Sequence, residues 1–207
     1  INSILHLDNF VNQIKMWRDI SAKIIAQSSG NIVIPVVEDT WSTVAEIEEQ
    51  LLNKIEIPEG PNVLICNNSP ISLPTIETDL KLAVEKLALK FPNVNFICSK
   101  NVSLKMKNVF YCEDLIDNKN GNDLPEIGYL ASKMDVVLSN CSGPGTYALN
   151  KQSFSNDRLE IITVTPSEQN TFWYGVDNVK ANTLWSPNGS DENIFNLISA
   201  ALDEKQL

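Results

Sequence analysis

Apolar positions along this 207-residue chain follow two alternating patterns. Short runs rich in β-branched and aromatic residues predict strands, and segments whose apolar residues recur every three or four positions predict helices. The strand-like runs are 62–67, 93–99, 108–114, 135–140, 160–165 and 181–186, and the helical patterns are 8–27, 40–55, 73–91, 123–134 and 191–202. Residues 31–40 contain Pro35 and indicate an edge strand or an extended linker.

Alternating strands and helices predict βαβ units and a mostly parallel sheet. The runs "VLIC" (63–66) and "DVVLS" (135–139) are apolar almost throughout, which is typical of strands covered on both faces. The expected fold class is therefore α/β, with a Rossmann-like three-layer αβα arrangement and a mostly parallel sheet.

Charge and composition exclude several classes of function. The net charge is −10 and the arginines are Arg18 and Arg158, whereas binding a nucleic-acid backbone requires clustered Lys and Arg. The nearest basic cluster, Lys100, Lys105 and Lys107, is typical of a solvated loop. No apolar run is long enough to predict a transmembrane segment. The chain begins without an initiator Met or a signal-peptide pattern, so we expect a piece of a longer protein.

Cysteine and histidine spacing gives no metal motif. The chain has one histidine, His6, and no Cys-x-x-Cys pair, so a zinc site is not predicted. Each cysteine lies at or near the end of an apolar run, which predicts small buried core thiols. The four are Cys66, Cys98, Cys112 and Cys141.

Ligands of open α/β sheets bind beyond the carboxyl ends of the strands, and this rule gives the candidate binding residues. They are Asn67, Asn68 and Ser69 at the end of the first run, Ser99 and Lys100 at the end of the second, and Cys112, Glu113 and Asp114 at the end of the third. Asn140 to Thr146 lie at the end of the fourth run, and the loop after the fifth contains Thr171 and Trp173.

The junction "SNCSGPGT" (139–146) joins a predicted strand to a short helix. Backbone N–H groups at a helix start, together with Gly143, Gly145 and the hydroxyls of Ser142 and Thr146, suit a phosphate or pyrophosphate. The same residues also make an ordinary capped turn, and both interpretations stay open. The carboxylates of Glu113 and Asp114 suit a ribose or base or a solvated loop. The aromatics in "TFWYG" (171–175) suit stacking on a ligand or covering the core edge.

The segment "DLPEIGYLASKMDVVLSNCSGPGTYALNK" (123–151) resembles the donor-binding half of GT-B glycosyltransferases, in particular the heptosyltransferase-like group. Members of that group typically show Asp-Ser-Gly-Pro-Met-His-x-Ala after a strand. Ser142, Gly143, Pro144 and Ala148 match this motif, whereas Cys141 replaces the Asp and Gly145-Thr146 replaces Met-His. The resemblance extends in order and spacing over roughly 60–205.

The resemblance implies half of a GT-B fold: residues 1–40 as an N-terminal helix and crossover or linker, and 41–207 as a Rossmann-like nucleotide-sugar-binding domain. It places the donor pyrophosphate at Ser142, Gly143, Gly145 and Thr146, and the base and ribose at Cys112, Glu113 and Asp114. It implies a metal-independent reaction without a cofactor.

The implied enzyme is a glycosyltransferase of bacterial surface glycan or glycoprotein synthesis. It is expected in the cytoplasm or at the cytoplasmic face of the membrane, and its acceptor-binding domain and catalytic base would lie in the rest of a longer chain. The alternatives are a sugar-nucleotide epimerase-like domain and a non-catalytic module that retains the fold.

Overall fold

The structure is a computed structural model, and it describes residues 55–68, 80–116, 124–140, 142–165 and 180–207. The predicted helix over 8–27, the linker over 31–40, most of the helix predicted over 40–55 and the domain boundary at residue 40 lie outside them.

The six described strands form one sheet in which every neighbouring pair is parallel. The strands are β1 (Asn62–Ile65), β2 (Asn95–Cys98), β3 (Val109–Tyr111), β4 (Val136–Asn140), β5 (Glu160–Val164) and β6 (Asn182–Ser186). Their order across the sheet is β3-β2-β1-β4-β5-β6, the order of a doubly wound dinucleotide-binding fold. The predicted Rossmann-like α/β fold class is confirmed.

Helices follow most of these strands, although β2 leads to β3 without one. They are α1 (Lys81–Lys90), α2 (Cys112–Leu115), α3 (Leu124–Ser132), α4 (Gly143–Ala148), α5 (Lys151–Ser155) and α6 (Asp191–Glu204). The helices predicted over 73–91, 123–134 and 191–202 correspond to α1, α3 and α6. No described helix is both long and apolar enough to cross a bilayer.

A helical turn follows β3 directly. Within the run 108–114, β3 ends at Tyr111 and the next four residues form α2, so Glu113 and Asp114 follow the strand as predicted. Glu113 and Asp114 lie in the first turn of α2, where acidic side chains are favoured because they face the positive end of the helix dipole.

Two separate apolar layers cover the two faces of the sheet, because alternate strand residues point to opposite faces. On one face, α1 and α6 pack on the strands through Ala83, Val84, Leu87, Ile194, Ile198 and Leu202 against Val63, Ile65, Phe96, Val136, Leu138 and Ile162. On the other face, Ile127, Leu130, Ala148 and Phe154 of α3, α4 and α5 pack against Leu64, Ile97, Val137 and Ile161. The sheet therefore lies between two helical layers, as predicted.

The described cysteines belong to this core. Cys66, Cys98 and Cys112 are free and buried, which confirms the prediction for these three, and Cys141 lies outside the described residues. Burial raises the pKa of the Cys98 thiol to about 12, and burial together with the nearby Cys98 raises the pKa of Cys66 further still. Both thiols therefore remain protonated at neutral pH.

Candidate functional site

The strand order reverses between β1 and β4, and this reversal creates the candidate site. From β1 the chain proceeds to β2 on one side, whereas from β4 it proceeds to β5 on the other. In open α/β sheets, ligands bind where the loops that leave the carboxyl ends of two such neighbours diverge. We call this place, between residues 66–68 and residues 142–145, the β1–β4 crevice.

Asn140, the last residue of β4, joins the two sides of the β1–β4 crevice. Its side-chain Nδ2 donates a hydrogen bond to the carbonyl of Asn68 at 2.8 Å, and its Oδ1 accepts one from the backbone N–H of Ser142 at 3.1 Å. Asn140 is 5 % exposed. Two predicted binding residues, Asn68 and Asn140, are thus brought together with the start of the predicted pyrophosphate turn.

Gly145 is buried and packs directly on the end of β4. Its N–H donates to the Ser142 hydroxyl at 3.2 Å, and its carbonyl accepts from the Ser139 hydroxyl at 3.0 Å. A Cβ at this position would lie 2.1 Å from the Asn140 carbonyl oxygen. The glycine is therefore required for close approach between α4 and β4, whereas the sequence predicted a close approach of ligand.

Gly143 differs from Gly145 in exposure and in the space around it. It is exposed, and a Cβ there would meet only the Leu124 side chain, at an ordinary contact distance of 3.6 Å. The N–H groups of Ser142 and Gly145 bond to protein atoms, so Gly143 is the exposed glycine of the turn. Thr146 lies in α4, and its side chain is outside the described part of the chain.

Asn67 connects the loop after β1 to the loop after β2. Its Nδ2 donates to the Lys100 carbonyl at 3.0 Å, and its Oδ1 accepts from the Lys100 N–H at 2.8 Å. Its own N–H donates to the Ser99 hydroxyl at 3.0 Å, and Ser99 also donates to Asn68 Oδ1. Four strand-end residues from the prediction therefore form one hydrogen-bonded group.

The residues after β3 lie farther from the β1–β4 crevice. Strand β3 is separated from β1 by β2, which corresponds to about 10 Å at the usual strand spacing. Glu113 and Asp114 are exposed on α2, Cys112 is buried, and Glu113 Oε1 accepts a hydrogen bond from Asn101 Nδ2 at 2.6 Å. Their assignment to a base and ribose stays a prediction. Ser69, Thr171 and Trp173 lie outside the described residues.

The start of α1 also lies at the carboxyl edge of the sheet, and the side chain of Asp191 already bonds to it. The N–H of Ala83, in the first turn of α1, donates to Asp191 Oδ1 at 2.7 Å. Because Asp191 supplies the negative charge that this helix end favours, the end is not open to an anionic ligand. No group of three or more His, Cys, Asp or Glu side chains that could hold a metal ion occurs in the part of the chain that the structure describes.

Comparisons with known proteins give a structural likeness but no sequence match. No protein-family model matches the chain, and no curated protein matches it in sequence. Among solved structures, the chain is similar to the crystal structure of the glycosyl transferase family 9 from Veillonella parvula, at 13 % sequence identity and a TM-score of 0.44. The match covers 72 % of this chain and 48 % of that one, so the chain spans about half the length of that structure. The strand order of the chain itself establishes its Rossmann-like fold class.

Proposed function

We propose that the chain binds a nucleotide sugar in the β1–β4 crevice and is the donor-binding half of a glycosyltransferase. One observation carries the proposal: the turn that matches the GT-B motif at Ser142, Gly143 and Pro144 lies at the point where the strand order reverses. A sequence resemblance and a topological rule, which are independent of each other, thus select the same place.

In this proposal the donor diphosphate lies against the turn of residues 142–146. Gly143 is exposed and presents its backbone, whereas Ser142 and Gly145 hold the shape of the turn through their mutual hydrogen bond. The ribose and base extend toward α2, where the exposed carboxylates of Glu113 and Asp114 accept hydrogen bonds from hydroxyl or amino groups. The turn follows β4, which lies three strand spacings, or about 14 Å, from β3, so the nucleoside and the diphosphate would extend across the ends of β1 and β2.

The proposed reaction transfers the sugar to an acceptor and leaves a nucleoside diphosphate. Negative charge increases on the diphosphate as the glycosidic bond breaks, so donors fixed before the reaction stabilise the transition state more than the ground state. We assign this role to protein groups at the β1–β4 crevice without a metal. The acceptor, in bacterial surface glycan or glycoprotein synthesis, and the catalytic base belong in the proposal to a second domain of a longer cytoplasmic protein.

One alternative is favoured by a specific observation. The N–H groups of Ser142 and Gly145 bond to protein atoms, and Cys141 replaces the Asp of the family motif. Both features suit a non-catalytic module that keeps the Rossmann-like fold and binds no nucleotide. An epimerase-like domain would bind the same ligand as the transferase.

Thermal unfolding of the full chain with UDP, GDP, ADP and CMP separates the donor-binding proposal from the non-catalytic module. A ligand at 100 times its Kd raises the free energy of unfolding by about 2.7 kcal/mol, which is a rise of several degrees in Tm for a domain of this size. The donor-binding proposal predicts such a rise with at least one of these nucleotides. No rise with any of the four at millimolar concentration would support the non-catalytic module.

The site is tested with Gly143→Val, which places a branched side chain where we locate the diphosphate. The matched control is Ser155→Val, at an exposed position at the end of α5, beside the opposite edge of the sheet. We expect Gly143→Val to remove the nucleotide-dependent rise in Tm and Ser155→Val to retain it. Gly145 is unsuitable for this test, because any side chain there would collide with β4.

A further inference from the structure

Positive charge is scarce in this chain, whose net charge is −10, although a diphosphate ligand requires it. Most of the described cations lie away from the carboxyl edge of the sheet, where the crevice is. Lys133, Arg158 and Lys180 precede the starts of β4, β5 and β6, which places them at the opposite edge. The start of α1 is already paired with Asp191. An anionic ligand in the β1–β4 crevice therefore has few sources of compensating charge.

The loop between β2 and β3 carries one lysine at the carboxyl edge of the sheet, where the crevice lies. Because β2 and β3 are parallel and no helix joins them, residues 99–108 must cross from the carboxyl edge to the opposite edge. Lys100 lies at the beginning of this crossing, whereas Lys105 and Lys107 lie near its end. Asn108 already pairs at the opposite edge, where its carbonyl accepts from the N–H of Phe96 at 2.8 Å.

Lys100 combines a fixed backbone with an unengaged side chain. Both its N–H and its carbonyl bond to the side chain of Asn67, at 2.8 and 3.0 Å, and Asn67 has no exposed surface. The side chain of Lys100 is exposed, and its ammonium makes no ion pair with any residue that the structure describes. Asn67 therefore fixes where the lysine is attached but leaves its charge for another group.

We propose that Asn67 is a positioning residue that holds Lys100 at the β1–β4 crevice, where the ammonium binds the diphosphate of the ligand. The inference rests on the proposed nucleotide-sugar binding. Asn67 is the second residue after β1. The hydrogen bonds of its side chain therefore hold Lys100 beside β1, the strand that borders the crevice. A lysine whose backbone is already held loses less conformational freedom on binding a ligand than a lysine on a free loop.

The binding prediction is a coupled effect of two residues. The probe is whichever of UDP, GDP and ADP binds the full-length wild-type chain, titrated by calorimetry. Lys100→Met removes one charge-assisted hydrogen bond, and we expect a loss of affinity of about tenfold or more. Asn67→Ala frees the loop, and we expect a loss of about two- to tenfold. In the Lys100→Met background, Asn67→Ala should change the affinity by less than about twofold, since it acts through the lysine.

Conservative and control variants separate this role from a purely structural one. Lys100→Arg should retain most of the affinity because it keeps the charge, and Lys100→Met should also reduce the dependence of affinity on salt. Lys105→Met removes a charge from the same loop and should not change the affinity. Asn108→Ala breaks side-chain hydrogen bonds to the carbonyls of Ala88, Phe91 and Val94, so it should lower Tm without weakening binding. If Asn67→Ala does not fold, Asn67→Ser replaces it.

Three results would overturn the inference, and they are distinguishable. Binding by the wild type with unchanged affinity in Lys100→Met would remove the lysine from the site while the proposed function stands. Equal losses from Asn67→Ala with and without Lys100 would show that Asn67 does not act through it. No binding of UDP, GDP, ADP or CMP by the wild type would overturn the proposed function and this inference together.

Discussion

Replacement of Gly145 by alanine tests the packing of the turn most directly. The added Cβ would lie 2.1 Å from the Asn140 carbonyl oxygen and 2.9 Å from the Asn140 nitrogen. A carbon and a carbonyl oxygen normally approach no closer than about 3.3 Å, and both obstructing atoms belong to the backbone of a central strand. The conflict can be relieved only by moving α4 away from β4 by about 1 Å or more.

The cost of this movement follows from the contacts it breaks. Overpacking of a core costs about 1–3 kcal/mol, and a buried polar group left without its partner costs about 1–3 kcal/mol more. The group at risk is the Ser139 hydroxyl, which donates to the Gly145 carbonyl at 3.0 Å and would keep only its longer contact with the Asn140 carbonyl at 3.3 Å. We therefore expect Gly145→Ala to lower the free energy of unfolding by about 2–6 kcal/mol, a fall in Tm of about 4–24 °C for a domain of this size.

Urea denaturation followed by circular dichroism measures this change, and Gly143→Ala is its matched control. The two glycines are two residues apart, but a Cβ at Gly143 meets only the Leu124 side chain at 3.6 Å. We expect Gly143→Ala to change stability by no more than about 0.5 kcal/mol. Equal urea midpoints for the two variants would refute the conclusion that α4 is in tight contact with the end of β4.

Three further predictions concern groups distant from the turn. Burial raises the pKa of Cys98 to about 12 and that of Cys66 further. Iodoacetamide near pH 8 should therefore label neither thiol in the native chain and both in urea, as measured by peptide mass spectrometry. Prompt labelling of the native chain would contradict this. Burial also raises the pKa of Glu160, so the contribution of its carboxyl to stability is present at acid pH and lost as pH rises through the raised pKa. Glu160→Gln should therefore raise the urea midpoint relative to the wild type near pH 8. It should not do so near pH 3.5, which is below the ordinary glutamate pKa of about 4.3. An equal difference in midpoint at both pH values would refute the raised pKa of Glu160. Asp191→Ala removes the acceptor for the Ala83 N–H at 2.7 Å and should cost about 1 kcal/mol in thermal or urea unfolding, whereas Asp191→Asn should retain most of the stability.

The fold could be predicted from the sequence because its signals are local and repeated. Near-continuous apolar strands between amphipathic helices determine a parallel sheet covered on both faces, and the structure has this arrangement. The sequence placed Glu113 and Asp114 after a strand, as the structure does, but it did not indicate the helical turn that Cys112 begins, because Cys112 continues an apolar run. A run of apolar residues does not indicate where a strand gives way to a helical turn.

The candidate site was predictable in its location but not in its contacts. The strand-end rule selected Asn68, Ser99, Lys100 and Asn140, and the structure joins them through side-chain hydrogen bonds. Sequence alone could not assign Asn67 its role, because the two loops that it connects are 33 residues apart. Nor could it decide which neighbour makes Gly145 necessary, since a glycine permits close approach by a ligand and by a strand equally.

The position of α6 has a consequence for synthesis on the ribosome. Residues 191–204 supply Ile194, Ile198 and Leu202 to one covering layer, yet every described strand precedes them in the chain. Until this segment has left the exit tunnel, one face of the sheet lacks part of its cover, and apolar surface remains exposed to chaperones and to other nascent chains. Stalled or truncated products that lack residues 191–204 would therefore be aggregation-prone, and native structure would form only once this segment is available.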